Sequence, residues 1–160
     1  MRIGEIVIIG PNANEKQRFL AALSDDLALT TPDFSFGRLT INNQLLLHLY
    51  GITLHPDAKP LSWDLLGAKM LGCIVLFSWQ DLASFELVKP VIDHLTTHFR
   101  TAVVVAAHLN NESMPDSELF HNGGIALTPE GKFAFCDVDD VESARRVLLS
   151  LIDLLIDRID

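Results

Sequence analysis

The stretch EIVIIGPNANEKQ, Glu5 to Gln17, decides how the rest of the chain is read. Its first half is a continuous apolar run that breaks at Gly10-Pro11, the pattern of a buried strand closed by a turn. Its second half opens a helical pattern, predicted from about Glu15 to Leu23, with Phe19, Leu20 and Leu23 on one face. A strand that turns through glycine into a helix is where a phosphate-binding loop belongs, because the N–H groups of the turn and of the helix N-terminus converge on an anion. The pattern such a loop needs is G-x-x-x-x-G-K-[ST]. Gly10 and Lys16 match it, but Glu15 stands at the second glycine and Gln17 at the hydroxyl.

Beyond this stretch, apolar runs of strand length alternate with longer helical patterns, which predicts an α/β sheet built from crossover units. FSFGRLTI (Phe34 to Ile41) and QLLLHLYG (Gln44 to Gly51) flank Asn42-Asn43, a pair that tolerates positive φ, and so predict a two-residue hairpin. GCIVLF (Gly72 to Phe77) and TAVVVAA (Thr101 to Ala107) are buried strands, and KFAFCD is a short last one. Helices are predicted after Ser62, over Leu82 to Phe99 with Pro90 as a kink or restart, and from Val141 towards Arg158. Asp139 and Glu142 form a capping box for the last of these. Ala144, Leu148, Leu151, Ile152, Leu155 and Ile159 make its core stripe, which Val147 and Leu154 widen either as packing or as a partner surface. The expected sheet has about six strands, mostly parallel, with one antiparallel edge strand, in a single domain over residues 1–160.

The 160 residues carry a net charge of -9 with no basic stripe, which argues against a nucleic-acid partner. No signal-peptide pattern opens the chain and no run approaches a membrane span, so a cytoplasmic protein without stable membrane insertion is expected. The two cysteines, Cys73 and Cys136, lie in apolar surroundings and are expected to be reduced and buried. His94 and His98, four apart on a helix, make half a metal site that nothing obvious completes, so no metal site is predicted.

The order of elements, together with TTPDFSFGRLTI, LLLHLYG, WDLLGAKMLGCIVLF and CDVDDVESARRVLLSLIDLL, resembles the Ras-like small GTPases. Within that family it resembles the MglA-like and conservon-type bacterial branch. The resemblance spans nearly the whole chain and implies a P-loop fold of three α/β/α layers, GTP or GDP with Mg²⁺ as cofactor, and a roadblock-domain protein partner. It also marks the positions where this chain departs from the family. A carboxylate at Glu15, about 4 Å from a phosphate charge, would oppose it by about 4 kcal/mol at an effective dielectric near 20, or roughly three decades in affinity. Lys16 either still grips phosphate or pairs with Glu15 or a nearby aspartate on the surface. Gln17 replaces the hydroxyl that the family uses for Mg²⁺.

Thr31 matches the family's switch threonine, but Pro32 follows it and stiffens the loop, so Thr31 is either a sensor or a turn residue. Gly51 is retained, Leu54 replaces the glycine that senses the γ-phosphate, and His55 stands at the glutamine that orients water. At the guanine-reading motif, His108 replaces asparagine, Leu109 replaces lysine, and Asn111 replaces the aspartate that accepts two hydrogen bonds from the base. Asp137 lies in the loop that would border the base, and Asn14 lies in the phosphate loop. The resemblance with these departures implies a pseudo-GTPase: a Ras-like binding module in bacterial signalling or polarity, with no cofactor and no catalytic residue beyond a weak candidate in His55. Glu15, Gln17 and Leu54 are expected to fill the ground a nucleotide would use. The alternatives are a slow, partner-dependent GTPase and a structural subunit using its terminal helix.

Overall fold

The computed structural model describes residues 2–54, 70–98, 102–110, 125–128 and 131–159. Its elements in chain order are β1 (Arg2–Gly10), α1 (Ala13–Leu23), β2 (Asp26–Thr30), β3 (Phe34–Asn42), β4 (Leu45–Thr53) and β5 (Gly72–Ser78). They continue with α2 (Leu82–His98), β6 (Ala102–His108), β7 (Ile125–Thr128), β8 (Gly131–Cys136) and α3 (Val141–Ile159). The strands form one eight-stranded sheet in the order β2-β3-β4-β1-β5-β6-β8-β7. β1 pairs in parallel with β4 and β5, and β6 pairs in parallel with β5 and β8. The chain is therefore an α/β protein with a mostly parallel centre. β3 runs antiparallel to β4, as the hairpin reading expects. Two short strands that the sequence did not announce, β2 and β7, add antiparallel pairs at the two edges.

Side chains alternate across a strand, so each central strand serves two cores. Ile6, Ile8, Ile74, Leu76, Val104 and Ala106 point to one face, where Phe19 and Leu20 of α1 and Ala144, Val147 and Leu151 of α3 cover them. Val7, Ile9, Cys73, Val75, Val103 and Val105 point to the other, where Val88, Val91 and Leu95 of α2 cover them. α2 runs without interruption through Pro90. Val147 and Leu154 are 1% and 7% exposed, so the extra width of the α3 stripe is core packing and not a partner surface.

Several local expectations shift. The hairpin turn is Asn43-Gln44, one residue later than predicted, and among the described non-glycine residues only Asn110 has positive φ, at 54°. The Asn42 side chain makes the turn possible without a left-handed residue, because its Oδ1 accepts the N–H groups of Gln44 (2.7 Å) and Leu45 (2.9 Å). The cap of α3 also moves by one residue. Asp140, not Asp139, accepts the Glu142 N–H at 3.0 Å and, through its carbonyl, the Ala144 N–H at 2.9 Å. The helix expected after Ser62 lies outside the described residues.

Candidate functional site

β1 and β5 are neighbours, yet the chain leaves β1 into α1 on one face and β5 into α2 on the other. In open α/β sheets such a reversal leaves a crevice beyond the carboxyl ends of the strands, where ligands bind. The residues singled out at Gly10 to Gln17 lie at this crevice, and their local structure departs from the loop the sequence suggested. α1 begins at Ala13 and not at Glu15, which leaves Pro11 and Asn12 as the whole connection. Asn14 and Glu15 are therefore helical. Asn12 adopts an extended backbone and caps the helix, its Oδ1 accepting the Glu15 N–H at 3.0 Å. A side-chain carboxamide thus takes a helix-terminal N–H of the kind that an anion would use.

Lys16 is 0% exposed, so it does not lie on the surface, where the sequence reading placed its alternative pairing with Glu15 or an aspartate. Its Nζ donates to Thr53 Oγ1 at 2.8 Å and, at the longer distance of 3.5 Å, to the Pro32 carbonyl. The Thr53 hydroxyl in turn donates a hydrogen bond to the same carbonyl at 2.5 Å. Burial pushes the ammonium below the ordinary lysine range, against a weaker pull from Asp33. Gly51 makes room for this arrangement. A Cβ there would meet Lys16 Cδ at 3.3 Å and Leu20 Cδ2 at 3.4 Å, contacts that would press on the lysine stem.

Gln17 reaches in the same direction, its Nε2 donating to the Thr31 carbonyl at 2.9 Å. Thr31 is a turn residue: its hydroxyl donates to the Phe34 carbonyl at 2.6 Å, and its Oγ1 accepts the Phe34 N–H at 3.0 Å. Leu54 directly follows β4. Its N–H donates to the Gly10 carbonyl at 2.8 Å, and its side chain is 5% exposed among Val7, Ile9 and Val75. Lys16, Gln17 and Thr31 therefore come together around the 31–34 turn, with Gly51 beside the Lys16 stem, whereas Leu54 belongs to the core on the other face of the sheet.

Of the three residues expected to fill vacated space, Leu54 is packed into the core and Gln17 reaches across to the turn. Glu15 instead borders an open pocket of 510 Å³, lined also by Asn12, Ser78, Asp81 and Leu87. Its side chain is 8% exposed. Burial raises its carboxyl above the usual range, Arg18 opposes that, and Asp81 adds to it.

His108 ends β6 at 1% exposure, away from this pocket's lining. Its Nδ1 accepts the Val138 N–H at 3.2 Å, tying β6 to the loop before α3. Its Nε2 has no hydrogen-bond partner among the described residues. Burial lowers its pKa, with Asp137 the first of the groups that resist. The Asp137 carboxylate caps its own loop, accepting the Asp139 N–H at 3.0 Å, and Asp139 in turn holds Arg18 of α1 at 2.8 Å. His55 and Asn111 lie outside the described residues.

The residues that sequence reasoning missed are Thr53, Asn12 and Asp81. The period-two burial of β4, with Leu47, Leu49, Gly51 and Thr53 on one face, was the signal that Thr53 lies under Lys16. Asn12 with Glu15 three residues later has the spacing of a helix start. Asp81 carried no signal.

Cys73 and Cys136 are free and buried, and burial pushes the Cys136 thiol up to about 12, so neither is a nucleophile at neutral pH. Among the described residues no group of three metal-ligating side chains forms, and no helix is long and apolar enough to cross a membrane. No protein-family model matches the chain, and no curated protein matches it.

Proposed function

We propose that this chain is a pseudo-GTPase, a Ras-like fold kept as a protein-binding module in bacterial signalling or polarity. Its support is the chain order of strand, lysine-bearing helix, antiparallel pair and crossover units, and above all the inward turn of Lys16. A lysine that donates to Thr53 and Pro32 from within the core is not presented to a phosphate, and Asn12 already caps the helix end beside it. Leu54 commits the backbone N–H at its position to Gly10. The 31–34 turn, held by Lys16 and Gln17, is then a fixed surface for a partner of the roadblock type, where an active relative would use a moving one.

Isothermal titration of the full chain with GTP, GDP and ATP in the presence of Mg²⁺ tests the reading. It predicts no saturable heat at micromolar concentration and no nucleotide carried through purification. Micromolar binding of any of the three would favour the slow, partner-assisted GTPase instead. A structural subunit that docks through Val147 and Leu154 is disfavoured because both side chains are core.

A further inference from the structure

We propose that the exposed face of α3 is a self-association surface, on which a second copy of this chain docks its own α3 antiparallel to the first. The inference goes beyond the pseudo-GTPase reading and stands independently of it.

Ala144, Val147, Leu151 and Leu154 hold α3 against the sheet, so its opposite face is presented in a fixed position. That face carries Leu149 and Ile156, each more than half exposed, with the partly buried Ile152 between them. Among the described residues no other helix exposes a large apolar side chain. Spacings of three and four residues, as from Leu149 to Ile152 to Ile156, make the narrow seam by which one helix packs on another. The fold does not require Leu149 or Ile156, because α3 already serves the core with the residues on its other side.

The charges beside the seam single out the occupant. Arg146 and Asp153 are both exposed and lie two turns apart on the same flank of the helix. That separation is about 10 Å along the axis, too far for the two to pair within one helix. Among the described residues neither makes an ion pair, and the Arg146 side chain makes one long hydrogen bond, from Nε to the Glu142 carbonyl at 3.4 Å. A two-fold axis beside Leu149 reverses the second helix and sets each Arg146 against the Asp153 of the other copy, closing two identical ion pairs around a central pair of leucines. A parallel pair would align arginine with arginine instead.

The chain carries a net charge of -9, so two copies repel, and a self-contact is favoured where charge cancels. The exposed face of α3 is such a place, since Arg145 and Arg146 balance Glu142 and Asp153. The same balance disfavours a membrane, because a helix lying on anionic lipid draws on a basic polar face.

The test is sedimentation equilibrium of the full chain from about 10 μM to about 1 mM, the affinity range of a contact at the small end of specific interfaces. A monomer–dimer equilibrium is expected. Leu149→Ser, Arg146→Glu and Asp153→Arg should each raise its dissociation constant about tenfold, since every change acts twice across the axis. All three positions are exposed, so the urea midpoint of dilute protein should stay with the wild type, and a variant that fails to fold leaves the other two to decide. An equimolar mixture of the Arg146→Glu and Asp153→Arg chains should regain wild-type affinity, because both contacts then join opposite charges. A chain that stays monomeric throughout the range, a dimer indifferent to the three variants, or charge variants that do not rescue each other in the mixture would overturn the proposal. So would a monomer that pellets with phosphatidylglycerol vesicles, which gives the face to a membrane. Each of these failures leaves the pseudo-GTPase reading as it was, whereas micromolar Mg·GTP binding defeats that reading whatever the dimer does.

Discussion

Lys16 of α1 donates a hydrogen bond to the hydroxyl oxygen of Thr53 at the end of β4, 2.8 Å away, with both side chains buried. The helix after the first strand is thereby bonded to the adjacent strand through the protein interior. Thr53→Val would remove the shorter of the two hydrogen bonds that the Lys16 ammonium donates, and should cost about 1–3 kcal/mol in urea unfolding. Lys16→Met should be near neutral or stabilising at pH 7, because it removes a buried charge and keeps the volume. The folded-state pKa of Lys16 lies below its ordinary 10.5, so the unfolded chain holds more protons between the two values. Wild-type stability relative to Lys16→Met should therefore rise with pH through that window. The raised Tyr50 phenol is common to both proteins and drops out of the difference.

Leu54→Gly empties a site that is 5% exposed. The loss should be about 2–5 kcal/mol, as for other large-to-small core changes. Nucleotide affinity should not appear, because Lys16, Gln17 and Asn12 keep their internal partners. Denaturant unfolding and calorimetry with Mg·GTP check the two halves.

His108 accepts the Val138 N–H on Nδ1, so a second proton on the ring would displace that bond. Burial holds its folded pKa below 6.5, and the unfolded chain takes up the proton first as pH falls. Stability should fall as pH drops through 6.5 towards that folded value, and His108→Asn should flatten this part of the profile while keeping an acceptor for Val138. The raised Glu15 carboxyl acts in the opposite sense at lower pH, so the difference between variant and wild type is the quantity to measure.

On α3, Leu154 is 7% exposed while Leu149 and Ile156 are 55% and 53% exposed. Leu154→Ala should cost about 2–5 kcal/mol. Leu149→Ser and Ile156→Ser should stay within about 0.5 kcal/mol. If a partner uses this helix, the latter pair would weaken co-purification without lowering the unfolding midpoint.

The central strands were legible because burial on both faces writes a continuous apolar run, as in Ile6 to Ile9 and Val103 to Ala107. β2 was not, since all five of its residues are exposed and it exists by pairing with β3, a tertiary fact with no local pattern. At the site, the residue types were readable but their directions were not. Lys16 could be seen to lack its usual neighbours, yet its burial depends on Thr53 and Pro32, which are 37 and 16 residues away in sequence. The start of α1 was misplaced because a phosphate-loop pattern and an Asn-x-x-Glu cap compete for the same residues, and the cap prevailed.

Cys136 belongs to the half of the core under α1 and α3, and Cys73 to the half under α2. Each thiol is sealed on its own side of the sheet, and the chain has no other cysteine. Alkylation of the native protein should therefore be slow at both sites and governed by opening of the layer above each one. Comparing the two modification rates would show whether the helical layers detach together or one before the other, without any introduced probe.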